Sequence, residues 1–186
     1  MLTEVWELCR KLANPERRSL LRMVCEAKDG LNVGIAHDNA EGLKQSGTSQ
    51  YLCQLWKLGL IRRLRSGKYV NYYADAENAH ALVKDAAIAL QERFRAEMGS
   101  SHDESYLPVM RVMGNAMRAR IVGMLASEGQ ATREYVCDRL GLSLRTFDRH
   151  LKPALDIGLV ECDANGNLKF NPPSDPIASL IVKAAV

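Results

Sequence analysis

The chain contains the same pattern twice at a spacing near one hundred residues, and a pattern used twice must build the same supersecondary unit twice. Leu12-Ala13-Asn14-Pro15-Glu16-Arg17-Arg18-Ser19-Leu20-Leu21-Arg22-Met23-Val24 matches Met113-Gly114-Asn115-Ala116-Met117-Arg118-Ala119-Arg120-Ile121-Val122-Gly123-Met124-Leu125. Each copy sets an apolar and a small residue before an Asn, follows it with an Arg, and closes on an apolar cluster. A second match runs from Gly42-Leu43 to Gly59-Leu60-Ile61 and from Gly141-Leu142 to Gly158-Leu159-Val160. The offset falls from 101 to 99 between the two matches, which predicts a two-residue length difference in the connection after the first matched helix.

Both copies predict the same elements. Asn14 and Asn115 suit the N-cap of an amphipathic helix, and Pro15 suits its first position. A short helix follows, about Asn32 to Asp38 and Thr132 to Leu140, then a Gly-Leu turn, then a longer helix, about Gly47 to Leu58 and Leu144 to Ile157. Gly59 and Gly158 supply the left-handed exit into a strand. Two short strands then flank a turn: Leu60–Arg65 and Tyr69–Ala74 around Ser66-Gly67, and Leu159–Cys162 and Leu168–Phe170 around Asn165-Gly166.

Helix, turn, helix and β-hairpin in that order are the winged helix-turn-helix arrangement. The expected fold is therefore mainly α with small β-hairpin wings: two winged helix-turn-helix domains, 1–75 and 106–186, joined by a long helix and linker over 76–105. The run Ser49-Gln50-Tyr51-Leu52 through Leu55 to Gly59-Leu60-Ile61, and Asp148-Arg149-His150-Leu151 through Leu155 to Gly158-Leu159-Val160, resemble the Ser-Arg-His-Leu…Leu…Gly-Leu-Val signature of the ArsR-type (arsenic-repressor-like) winged-helix family. The Asn-x-x-Arg helix start resembles it too. The likeness covers nearly all of both end segments. It implies sequence-specific binding to double-stranded DNA and transcriptional regulation, with repression by promoter occlusion as the output.

The N-terminal half of a helix lying in the major groove makes most base contacts. In the first copy that half carries Gln45, Ser46, Thr48, Ser49, Gln50 and Tyr51. Leu52, Leu55 and Leu58 recur at helical spacing and read as core. Arg62, Arg63, Arg65 and Lys68 gather around Gly67, a concentration of charge suited to phosphates or a narrow minor groove. In the second copy Arg145, Thr146, Arg149, His150 and Lys152 offer donors, but Asp148 opposes phosphates and the hairpin is nearly without cations. Pro153 is expected to kink its helix. The first copy is thus the expected principal reader.

Charge is distributed accordingly: Lys plus Arg against Asp plus Glu is 12 to 8 over residues 1–75, 3 to 6 over 76–105, and 10 to 8 over 106–186. In the acidic middle, Ala79, Leu82, Val83, Ala86, Ala87, Leu90 and Phe94 form an apolar stripe opposite Lys84, Asp85, Gln91, Glu92, Arg93 and Arg95, and Gly99–Ser105 reads as a linker. In the resembled family a helix placed here pairs subunits. This one is expected to form a homodimer or to dock the two copies as an intramolecular pseudo-dimer.

Many members of the resembled family sense metals, through paired cysteines that would fall at Val33 and Ile35 or at Thr132 and Glu134. None is a thiol, and His80 lacks a spaced second ligand, so neither metal nor cofactor is expected. Cys9, Cys25, Cys53, Cys137 and Cys162 show no C-x-x-C spacing. His37, His80, His102 and His150 stand apart, and no phosphate loop or nucleophile elbow occurs, so no enzyme is expected. Without a leader-like start or an apolar run of membrane-spanning length, a soluble cytoplasmic location is the expectation. The alternative functions are a tandem winged-helix protein-interaction scaffold and a replication-initiator-type DNA-binding protein.

Overall fold

The computed structural model describes residues 2–40, 42–76, 79–97 and 103–186, without the side chains of 2–4 and 82. Part of the expected linker, Gly99 to His102, lies outside the described residues, as do Glu77, Asn78 and Met98 of the expected middle helix. The described chain is mainly helical, with ten helices and two antiparallel three-stranded sheets. It divides into two compact units, Asn14–Asp103 and a unit made of Met1–Ala13 with Glu104–Val186. That division differs from the expected one at both ends. The first helix, α1 (Leu2–Leu12), belongs with the C-terminal half, and the middle helix belongs to the 14–103 unit rather than to a separate linker.

The 14–103 unit is built around α2 (Pro15–Glu26). Asn14 Oδ1 accepts from the backbone N–H of Arg17 at 2.9 Å, one of the donors that a helix start leaves unpaired. Leu20, Leu21 and Val24 are buried, each side chain contributing roughly 1.5–3 kcal/mol of transfer free energy. A two-residue strand, β1 (Leu31–Asn32), leads to α3 (Val33–Asn39), capped by Asn32, and then to α4 (Gln45–Lys57). Leu60 N–H bonds to Leu55 O and Gly59 N–H to Trp56 O, while Gly59 takes φ +72°. This pair of bonds reverses the chain after the helix and needs the left-handed residue. The exit feeds β2 (Ile61–Ser66) and β3 (Tyr69–Ala74), which pair in the sheet order β1-β3-β2.

The last element of this unit, α5 (Ala81–Ala96), packs on α2. Its stripe Val83, Ala86, Ala87, Leu90 and Phe94 is buried, so the apolar face expected to pair subunits covers the core of its own unit. Gln91, expected on the polar face, is only 3% exposed. Its Nε2 donates to Leu60 O at 2.6 Å, satisfying a buried carbonyl where the chain leaves α4.

The split unit repeats the plan around α7 (Ala116–Glu128), preceded by α6 (Leu107–Met113) and capped by Asn115, which accepts from the N–H groups of Met117 and Arg118. Then come β4 (Gln130–Thr132), α8 (Arg133–Leu140), α9 (Leu144–Asp156), β5 (Val160–Cys162), β6 (Asn167–Phe170) and α10 (Pro176–Lys183), with sheet order β4-β6-β5. Helix α9 is continuous through Pro153, which falls in its last turn, so the proline does not end it. Helix α10 is started by Asp175, whose two carboxylate oxygens accept from Ala178 N at 2.9 Å and Ser105 Oγ at 2.6 Å.

Helix α1 packs on α6 and α7. In the repeat Leu12 of α1 corresponds to Met113 of α6, and both are fully buried at 0% exposure. Equivalent helices from the two copies therefore meet inside one chain. Gly114, next along, sits so close that an added Cβ would lie 3.1 Å from Arg10 N and Cα.

The length difference between the copies is divided between two connections. Eighteen residues separate the caps Asn14 and Asn32, against seventeen for Asn115 and Thr132. Twelve separate Asn32 from Lys44 before α4, against eleven from Thr132 to Ser143 before α9.

Replacing Gly114 by Ala forces a methyl group against helical backbone that cannot yield as a side chain would. The expected loss is about 1–3 kcal/mol in urea unfolding, increasing for Gly114→Val, and an unchanged midpoint would show that α1 does not approach so closely.

Candidate nucleic-acid interface

Helix α4 sorts its residues by face. Thr48, Leu52 and Leu55, one turn apart, point inward. Thr48 is 0% exposed, and its hydroxyl donates to Lys44 O at 3.3 Å. Its assignment as a DNA contact is corrected: it is a core residue whose hydroxyl is satisfied by its own helix. Gln45, Ser46, Ser49 and Gln50 are exposed, and Trp56 and Lys57 continue the exposure to the end of the helix. Their outward side presents amide and hydroxyl groups able to bond base edges or phosphates.

Tyr51 is half-buried and turned toward α2 rather than fully outward. The Arg17 guanidinium lies 5.1 Å from the centre of its ring and donates to Gln54 Oε1. Arg17 is the arginine of the Asn-x-x-Arg start, held in the first turn of α2. Its recurrence as Arg118 in the second copy is the signal that marks it in the sequence.

The β2–β3 hairpin is exposed along most of β2 and at its turn, where Gly67 has φ +59°. Strand pairing sets Arg63 opposite Tyr72 and Arg65 opposite Val70, and sets Arg62 opposite Tyr73 and Leu64 opposite Asn71. Side chains alternate across a strand, so the three arginines are divided between two faces. Arg63 lies 4.3 Å from the Trp56 ring centre, tying the hairpin to the end of α4. It also hydrogen-bonds Tyr72, whose hydroxyl burial pushes above its ordinary pKa, with Arg63 opposing the shift. Arg62 pairs with Asp75 at 3.4 Å and lies 5.6 Å from the Tyr73 ring centre. Arg65 Nε donates to Gly67 O at 3.2 Å, and Lys68 Nζ lies 5.3 Å from the Tyr69 ring centre. A guanidinium braced on an aromatic face has less rotamer freedom to lose when it meets a phosphate.

In the split unit the corresponding surface is self-paired. Phe147, Leu151 and Ala154 are buried, while Arg145, Asp148, Arg149 and Lys152 are exposed. Asp148 lies 3.8 Å from Arg133 Nε, and Lys152 bonds Asp156 at 2.9 Å. Thr146 is half-buried, bonded through its N–H and its hydroxyl to the cap Ser143. The β5–β6 hairpin carries Glu161 and Asp163. Hydrogen bonds from the Asn167 side chain and from backbone N–H groups hold the Asp163 carboxyl below its usual range, so its negative charge persists at the turn.

His150 is the counterpart of Tyr51, and Arg118 is that of Arg17. Partial burial, then Arg149, then Arg118, lower the His150 pKa, so the imidazole is neutral near pH 7. Both units thus bring an arginine of the first repeat helix toward the same position of the third. All five cysteines are free, and among the described residues no three His, Cys, Asp or Glu side chains gather as a metal cage.

No protein-family model matches the chain, and no curated protein or solved structure matches it either.

Because the folded-state pKa of His150 is depressed, neutral His150 favours the fold above the ordinary imidazole value, and that contribution is lost as pH falls through the lowered value. NMR titration should show His150 protonating below the ordinary imidazole range, and Arg149→Ala should move its midpoint upward. No movement would remove Arg149 as a cause.

Proposed function

We propose that the protein is a sequence-specific double-stranded DNA-binding regulator of transcription, a cytoplasmic repressor acting by promoter occlusion, with the 14–103 unit as principal reader. Each unit is taken as a winged helix-turn-helix of ArsR-like type, α4 and α9 being the recognition helices and the two hairpins the wings. The observation that carries the reading is a single surface: the polar face of α4 is tied through Trp56 and Arg63 to an exposed hairpin with four cations. Base readout and phosphate neutralisation need these two parts side by side. Asp148, Lys152 and the acidic hairpin make the split unit the weaker DNA contact. Packing of α1 on α6 brings equivalent helices of the two copies together within one chain, which supports an intramolecular pseudo-dimer.

Mobility shifts with genomic fragments at stated salt test the proposal, and absence of any specific complex at low micromolar protein and low salt rejects it. Arg63→Ala with Arg65→Ala should weaken binding to all sequences by about tenfold or more and reduce the salt slope by about two. Gln50→Ala should alter site preference instead, and an equal loss on every sequence removes it as a base reader. Sedimentation of the free protein should give the mass of one chain, whereas a stable dimer would count against the pseudo-dimer.

A further inference from the structure

Within the 14–103 unit a cavity of about 340 Å³ lies between the end of α2, the end of β3 and α5. That volume is near the small end of the ligand-pocket range of roughly 300–1,000 Å³. Its lining carries both signs of charge. Helix α2 ends at Glu26 with no basic residue in its last turn. The carbonyls of Val24, Cys25 and Glu26 receive no backbone N–H from the described residues. A helix end of this kind bears partial negative charge, and the Glu26 carboxylate adds to it, so it suits an ammonium group. Lys28 and Arg95 line it as well, and Arg95 donates to Ala74 O at 3.3 Å. A guanidinium so placed suits a carboxylate. Val24, Ala27 and the Tyr73 ring supply apolar wall. Burial pushes the Cys25 thiol up to about 12, so it adds no competing charge.

We infer that this cavity is an effector site for a free α-amino acid, its ammonium on the end of α2 and its carboxylate on Arg95 and Lys28, and that occupancy alters the grip of the hairpin on DNA. The regulatory part rests on the DNA-binding reading above. The coupling runs through Tyr73. Its ring lies against Gly30, where an added Cβ would come within 2.6 Å and φ is +83°, so any side chain there is strained. The same ring faces the Arg62 guanidinium at 5.6 Å. A ligand pressing on Tyr73 therefore moves a residue that holds a hairpin arginine. The split unit has a shorter connection here: Gly129 alone joins α7 to β4, and its carbonyl accepts from Phe170 N–H at 3.0 Å.

The test uses the full chain. Thermal-shift measurements with the common L-amino acids, each at about 10 mM, should show a raised Tm for one or a few of them. The amine-only and acid-only analogues of the best ligand should shift it far less. Calorimetry should show binding lost in Arg95→Gln and kept in Arg63→Ala with Arg65→Ala. Should Arg95→Gln not fold, Lys28→Glu, altering an exposed side chain, is expected to lose binding as well. DNA affinity should change about fivefold or more with ligand in the wild type. No binding by any amino acid, unchanged binding in the folded variants, or equal binding by the acid-only analogue overturns the site. Binding without change in DNA affinity overturns the coupling. Amino-acid binding in a protein that binds no DNA leaves the site standing and defeats the DNA-binding reading alone.

Discussion

Burial of α2 and α7 is the constraint on which both units depend. Each begins at a capping asparagine, which sets where the helix starts and therefore which residues face inward. Several elements of each unit rest directly on that helix: α4, α5 and β3 on α2, and α1, α6, α8, α9, α10, β4 and β6 on α7. A helix covered on most sides cannot shift without opening several contacts at once. The outer surfaces of α4 and of its hairpin are consequently carried on a fixed base, and their side chains can be used for recognition.

The two copies use the same base differently. In the first, polar side chains of α4 remain outward and the hairpin arginines rest on aromatic rings or pair locally. In the second, equivalent positions carry Asp148, Lys152 and Pro153, and ion pairs form within the surface itself. Exposed pairs of this kind add little to stability, about 0–1 kcal/mol. A cation already facing a carboxylate also has less attraction left for any other anion. The copies also differ in their connections: a four-residue link after α2 borders the cavity by the first hairpin, where the second copy has a single glycine.

Much of the fold was legible from local chemistry. The caps Asn14 and Asn115, the exits at Gly59 and Gly158 and the turns at Gly67 and Gly166 each leave a signal within a few residues, and the elements lie where those signals put them. Helices α1, α6 and α10 were missed because only the last residues of α1 and α6 fall within the matched segments and α10 within none, so their apolar faces acquire meaning only from what they cover. Gln91 and Thr48 were assigned to the wrong face for a related reason. Their polarity suggested solvent, yet each has a carbonyl within reach inside the unit, Leu60 O for one and Lys44 O for the other.

The sequence by itself determined that one supersecondary plan is used twice and that cations collect at the first hairpin, because repetition, capping and turn chemistry are properties of neighbouring residues. Only tertiary structure decided that α1 belongs with the C-terminal half, that the stripe on α5 is spent on its own core, and that Arg17 stands beside Tyr51. Those outcomes depend on which apolar surface a helix can reach and bury, and contacts between residues far apart in the chain carry no mark in the local pattern of either.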